Sequence, residues 1–246
     1  MKLGSMKSLS KIWNPKLPSD SFNELHTLII DECDILEDAM EGIFGSLCNL
    51  RVTNCRSMQA IFNIREQVGD SANSLQDVHL ETLPKLKLVW KINNEDRIGI
   101  PKFNKLKKMW AQDCDSLEYI FPFSLAKSLD NLESLVACDC YGLSEIVAER
   151  KATKTDRARF NFSKLSTIKF SKLPKLTSFH PTAYDLLCPL NELSIEFCDN
   201  LEPFNKGTDH AQGNPVHVFF PEQVLVLSPS TLQLHFLIHA KLNRKS

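Results

Sequence analysis

The sequence has little glycine, 8 residues in 246, and neither the Gly-x-x-x-x-Gly-Lys-Ser/Thr nor the Gly-x-Gly-x-x-Gly pattern occurs in it. Such glycines let a backbone loop approach a phosphate closely, so their absence argues against a phosphate-binding loop, and no cofactor is predicted. The sequence also lacks any run of about 18 apolar residues that could cross a membrane as a helix, and its start lacks the apolar stretch of a signal peptide. The formal net charge of -1 predicts neither nucleic acid nor a membrane as a partner. These absences favour a cytoplasmic chain in a reducing, intracellular environment.

A catalytic or metal-binding constellation is also missing. The seven histidines are scattered, and none of them stands beside a serine or cysteine in a nucleophile pattern. His79 lies between Asp77 and Glu81, where a surface histidine is a simpler interpretation than a catalytic base. Cys138 and Cys140 have no second pair of ligands at zinc spacing. The sequence therefore predicts a protein that is not an enzyme and that holds no metal.

What the sequence does contain is a repeated spacing of apolar residues. In residues 103–121, FNKLKKMWAQDCDSLEYIF, apolar or cysteine positions recur mostly every three residues, with a step of two between Met109 and Ala111. A helix would need a spacing near 3.6 residues and an isolated strand a spacing of about 2. The pattern instead indicates a coil that turns a side chain inward at every third residue and contains one short strand.

The same spacing recurs along most of the chain. Seven copies of LxxLxLxx(C/L)xxLxx(I/V/F) can be aligned, and half a copy opens the sequence. Because one coil cannot bury its apolar side alone, such copies stack side by side. The sequence predicts a leucine-rich-repeat solenoid of the α/β class, a curved horseshoe of about seven repeats. Its strands should be short and parallel and its convex side irregular or short-helical, with short helices at residues 34–40 and 123–131.

The repeats also define the predicted domain organisation. Residues 1–204 are expected to form the solenoid, with a partial repeat over residues 1–21 and full repeats from residue 22. Residues 205–246 do not reproduce the spacing, so they are expected to be either a degraded coil that caps the solenoid or an irregular tail. The insert 149–159 is basic but has no interleaved aromatic residue, so a solvated loop is a simpler interpretation than a nucleic-acid contact.

Five of the eight cysteines occupy one position of the repeat. This position turns the chain out of its strand, where backbone groups lose their partners, and a small side chain with a weak S–H donor fits there and can hydrogen-bond the neighbouring coil. Reduced, structural thiols are therefore favoured over disulfides or metal ligands. The predicted structural ladder consists of Cys33, Cys55, Cys114, Cys140 and Cys198.

The strand of each repeat predicts an exposed face. Because side chains alternate across a strand, the apolar residues of the L-x-L segment point inward and the residues between them point outward. Outward residues of successive strands should form one continuous concave surface. Trp110 is the outward residue least explained by stability, since tryptophan is frequent at binding hot spots. The candidate protein-binding residues are Arg51, His79, Lys108, Trp110, Gln112 and Lys169.

Four segments carry a resemblance to a known family: FNKLKKMWAQDCDSLEYIF, LETLPKLKLVW, FSKLPKLTSF and MKSLSKIWNPKLPSDSF. They resemble the C-terminal leucine-rich repeats of plant intracellular nucleotide-binding disease-resistance proteins of the coiled-coil class. The resemblance covers about residues 1–204. It implies a protein-recognition module of plant innate immunity that senses pathogen effectors or guarded host proteins. In that family the repeats also hold a nucleotide-binding module inactive.

This chain departs from the family pattern, since its 246 residues contain no nucleotide-binding domain and no coiled coil. Nucleotide binding and signalling are therefore not carried over. The implied partners are a protein and a nucleotide-binding domain encoded elsewhere. The alternative is a truncated or pseudogene-derived structural solenoid, or a regulatory decoy, with no ligand of its own. A ubiquitin-ligase adaptor is less favoured, because no F-box stretch precedes the repeats.

Overall fold

The computed structural model describes residues 1–12, 22–41, 45–64, 73–92, 102–148, 162–179 and 190–201. These residues form short strands joined by turns, together with one turn of helix. The elements are β1 (Lys2–Gly4), β2 (Thr27–Asp31), β3 (Asp38–Glu41), β4 (Asn49–Thr53), β5 (Ala60–Ile64), β6 (Asp77–Glu81), β7 (Leu88–Ile92), β8 (Lys108–Gln112), β9 (Tyr119–Phe121), α1 (Phe123–Ala126), β10 (Ser134–Cys138), β11 (Glu145–Val147), β12 (Thr167–Ser171) and β13 (Glu192–Glu196).

The larger sheet, here called the front sheet, has eight parallel strands in the order β1-β2-β4-β6-β8-β10-β12-β13. Burial alternates along its strands: in β6, Val78 and Leu80 are buried while the residues on either side of them are half-buried. The strands pair in register, so that Arg51 lies beside His79 and His79 lies beside Trp110. The strand segment of every predicted copy therefore lies in this sheet, which confirms the leucine-rich-repeat solenoid.

A second sheet, here called the back sheet, has five parallel strands in the order β11-β9-β7-β5-β3. Among the described residues five coils thus have a strand in both sheets, slightly fewer than the expected seven or so repeats. The helix predicted at residues 34–40 is wrong, because Asp38 pairs with Ala60 in the back sheet. Pairing with the next coil satisfies backbone groups that a short helix would leave free at its ends. Helix α1 covers only the first part of the range predicted at residues 123–131.

Each front strand ends at a residue with positive φ that is not glycine. Examples are Asn54 (φ 55), Thr82 (φ 55) and Asp113 (φ 52). This left-handed conformation costs roughly 1–2 kcal/mol per residue. It also aims the amide at the following coil: the amides of Asn54 and Thr82 donate at 3.0 Å to the carbonyl oxygens of Glu81 and Gln112. The energetic cost of the left-handed residue is therefore offset by a hydrogen bond between coils.

The core fills the space enclosed by the coils with side chains from every repeat. The leucines at the repeat's third-residue positions are fully buried, at 0% exposure for Leu106, Leu117, Leu132 and Leu165. Coils also approach each other closely at their corners, where a Cβ on Gly142 would overlap the carbonyl oxygen of Asp115. Glycine is required at that position because the clash would be with backbone, which cannot move aside.

Candidate functional site

The outward side of the front sheet, here called the open face, carries parallel rows of side chains. Neighbours in a row come from different coils but lie one strand spacing apart, about 4.8 Å. The middle row consists of Lys2, Ile29, Arg51, His79, Trp110, Val136, Lys169 and Ser194.

Four of the six predicted binding residues stand in this middle row: Arg51, His79, Trp110 and Lys169. The other two, Lys108 and Gln112, occupy the ends of β8 on either side of Trp110. The structure therefore brings Trp110 together with His79 and places Arg51 one strand further along the same row.

Trp110 packs against a neighbouring strand on the open face although 37% of it remains exposed. Its ring stacks on that of His79, with centroids 5.5 Å apart and planes within 15° of each other. Glu81 fixes the imidazole in turn, since its Oε2 lies 3.0 Å from Nε2 of His79 and 3.1 Å from Nη2 of Arg51. Arg51 is thus paired with a carboxylate, and the exposed ring of Trp110 rests on a histidine that the same carboxylate contacts.

Two further cations of this surface are also paired. Nζ of Lys169 lies 2.8 Å from Oε1 of Glu192, and Nζ of Lys172 donates to Oδ1 of Asp139 at 2.9 Å. The hydrogen bond and the negative charge of Asp139 raise the pKa of Lys172. The sequence predicted Lys169 as a binding residue, but it could not show that a neighbouring strand supplies its counter-ion.

A hydrogen-bonded carboxylate at the carboxyl end of β2 was not predicted from the sequence. Oδ1 of Asp31 accepts hydrogen bonds from Oγ1 of Thr53 at 2.6 Å and from Nδ2 of Asn54 at 3.0 Å. These two hydrogen bonds lower the pKa of Asp31, so its charge persists to acidic pH. An alignment of the repeat copies could have predicted this hydrogen bond, because Asp31 and Thr53 occupy the same repeat position on adjacent strands.

The five ladder cysteines are buried, free thiols at the corners that follow the front strands. Each thiol donates to the carbonyl oxygen two residues before it, at 3.2–3.5 Å. Contact between coils is also present, since Sγ of Cys140 lies 3.8 Å from the carbonyl oxygen of Ala111. Burial raises the pKa of the Cys55 thiol to about 12, and a hydrogen bond with Cys140 and burial raise that of Cys114. Protonated thiols are poor nucleophiles and poor metal ligands.

Over the described ranges, no group of three or more His, Cys, Asp and Glu side chains is arranged to hold a metal ion. In the same part of the chain, no helix has the length and apolar character needed to span a membrane. What the open face does present is an aromatic ring, paired charges and hydrogen-bonding groups. Aromatic residues and arginine are enriched at protein–protein interfaces.

In-register parallel strands, one from each coil in the front sheet, define the class of protein: a leucine-rich-repeat solenoid, which presents an extended surface for binding. The family model described as "Plant disease resistance protein RPS2-like, leucine-rich repeats" matches residues 1–141. The chain belongs to this family, which confirms the resemblance to plant disease-resistance proteins. Comparison with curated proteins and with solved structures finds no match.

Proposed function

We propose that this chain is a recognition module of plant innate immunity that binds a pathogen effector, or a host protein that effectors target, through the open face. Membership of a disease-resistance family supports the biological role. The stacking of repeats supports the location, because it curves one sheet into an extended concave surface. Arg51, His79, Lys108, Trp110, Gln112 and Lys169 are the proposed contact residues.

The observation that carries the proposal is the state of Trp110. An exposed tryptophan contributes little to folding, yet this one is held in place by His79 and, through it, by Glu81. A side chain already fixed in the free protein loses little conformational entropy on binding. Large aromatic residues in this state are typical hot spots of protein interfaces.

We further infer that the module acts without catalysis and without a cofactor, in the reducing cytoplasm, where buried thiols remain free. A nucleotide-binding domain encoded elsewhere is a second proposed partner, in keeping with the family. The proposed solenoid domain is residues 1–204. The proposed irregular or degraded tail, residues 205–246, lies outside the described residues.

The test is a two-hybrid or pull-down screen, followed by affinity measurement on two matched variants. Trp110→Ala should weaken an identified partner by more than about 1 kcal/mol, roughly fivefold in Kd. The control is Tyr141→Ala, which removes an aromatic side chain that is 50% exposed but lies beyond the end of β10, off the open face. A partner that tolerates Trp110→Ala and is lost with Tyr141→Ala would move the binding site to the corner.

A further inference from the structure

The open face and the carboxyl ends of its strands carry an unequal number of charges. Counting the outward residues of the eight front strands and the left-handed residue that follows each, eight carboxylates stand against five cations. The carboxylates are Asp31, Glu32, Asp77, Glu81, Asp113, Asp139, Glu192 and Glu196, and the cations are Lys2, Arg51, Lys108, Lys169 and Lys172.

Three of these cations and three of the carboxylates form ion pairs with one another, which leaves five carboxylates against two cations without an ion pair among the described residues. Arg51, Lys169 and Lys172 each lie within 3.1 Å of a carboxylate oxygen. Within the described residues, Lys2 and Lys108 have no ion pair. Lys108 stands at the amino-terminal end of β8, whereas Lys2 is in register with Ile29 of the middle row.

Six of the eight carboxylates lie at the carboxyl ends of the front strands. Here the acidic rim means the carboxylates at or just after the carboxyl ends of the front strands: Asp31, Glu32, Glu81, Asp113, Asp139 and Glu196. Asp113 directly follows β8, the strand that carries Trp110, and Asp139 directly follows the neighbouring β10. The exposed indole therefore stands beside a band of negative potential.

We propose that the occupant of the open face is a segment of a partner protein that carries lysine or arginine side chains. This inference rests on the proposed function and adds the chemistry of the partner. A cation close to the face of an indole is attracted by its quadrupole, and the acidic rim attracts the same cation from further away. An acidic segment would meet like charge along the rim, where Asp31, Glu32, Asp113 and Glu196 have no ion pair among the described residues.

The probe for the test is a synthetic peptide that alternates glycine with lysine and arginine, beside a counterpart with glutamate at each basic position. Binding to the whole chain is measured by the fluorescence anisotropy of a label on the peptide. The cationic peptide should bind, and its affinity should fall as salt is raised, because salt screens exposed charges. The glutamate peptide should bind far more weakly.

The matched variants separate the acidic rim from overall charge. Asp113→Asn with Asp139→Asn removes two rim charges and keeps the fold, since asparagine tolerates the φ of 52° that both positions adopt. Glu37→Gln with Glu118→Gln removes the same number of charges just before β3 and β9 of the back sheet. The rim variant should raise the Kd of the cationic peptide roughly fivefold, and so should Trp110→Ala. The back-sheet variant should leave it unchanged.

Three results would overturn the proposal: no binding of the cationic peptide, equal binding of the glutamate peptide, or an equal loss in both charge variants. Its failure can be told apart from failure of the proposed function by testing the same variants on a natural partner. A partner lost with Trp110→Ala but unaffected by the rim variant keeps the open face and rejects the cationic segment. A partner indifferent to both variants rejects the open face itself.

Discussion

Two tryptophans on neighbouring coils have opposite surroundings. Trp90, in the back sheet, is 1% exposed, stacks on Phe62 with centroids 4.5 Å apart and meets the Phe103 ring edge-on at 4.4 Å. Trp110, in the front sheet, is 37% exposed and stacks on His79. One is part of the aromatic packing between coils, and the other is part of a surface.

Each tryptophan has an energetic cost, and the two costs differ in kind. The indole Nε1 of Trp90 is buried and has no hydrogen-bond partner among the described residues, a loss that is tolerated because packing of the ring between aromatic neighbours outweighs it. Trp110 gives up much of its potential burial and remains at the solvent. The back sheet is therefore where we expect substitutions to cost stability, and the front sheet is where we expect them to cost binding.

The largest expected effect is that of Trp90→Ala. Removing a fully buried indole leaves a cavity between Phe62 and Phe103 that rigid coils cannot close, and the free energy of unfolding should fall by about 3–5 kcal/mol. Urea unfolding followed by circular dichroism measures this loss. A loss below about 1 kcal/mol would show that the back sheet is not a packed layer, and the comparison would then fail.

The sequence predicted the front sheet well, because its signal is local. The alternation around Met109 and Ala111 and the cysteine three residues further on recur in copy after copy, so position in the repeat determines which side chains are outward. The back sheet was missed because its apolar residues continue the same three-residue spacing. At residues 34–40 that spacing was compatible with a short helix. These residues form a strand instead because they pair with β5 of the next coil.

The candidate site was predicted in position but not in its interactions. Trp110 was identified because it is an aromatic residue at an outward position. The pairing of Arg51 with Glu81 depends on strand register between coils, which spacing within one copy does not reveal. Aligned copies would have placed these residues on adjacent strands, but a side chain's choice among several neighbours is set by packing.

A smaller effect is expected at the corner that leaves the front sheet, and it depends on pH. Burial raises the pKa of Cys55 from 9.0 to about 12. Above pH 9 the unfolded thiol ionises while the folded thiol stays protonated. The contribution of this thiol to the free energy of unfolding is therefore fully present below pH 9. It decreases as the pH rises toward 12, by at most about 1.4 kcal/mol per pH unit.

Urea unfolding of the wild type and of Cys55→Ala at increasing pH measures this term, because the variant lacks the thiol and should lose stability less steeply. Val52→Ala is the matched control: it removes apolar volume from the same coil and keeps the thiol. Equal slopes in the wild type and in Cys55→Ala would mean that the corner thiol is solvated, and that the corners are not sealed as the structure indicates.

The smallest expected effect on stability is that of Trp110→Ala, and it makes the comparison of the two tryptophans quantitative. The ring is already exposed and its main described contact is the stack on His79, so the free energy of unfolding should fall by less than about 1 kcal/mol. A double-mutant cycle with His79→Ala isolates the stack, for which a coupling of about 0.5–1.5 kcal/mol is the upper expectation at a solvated site. If Trp110→Ala destabilised the chain as much as Trp90→Ala, the ring would be a structural element of the front sheet. Weaker binding in that variant would then report unfolding and could no longer be assigned to the open face.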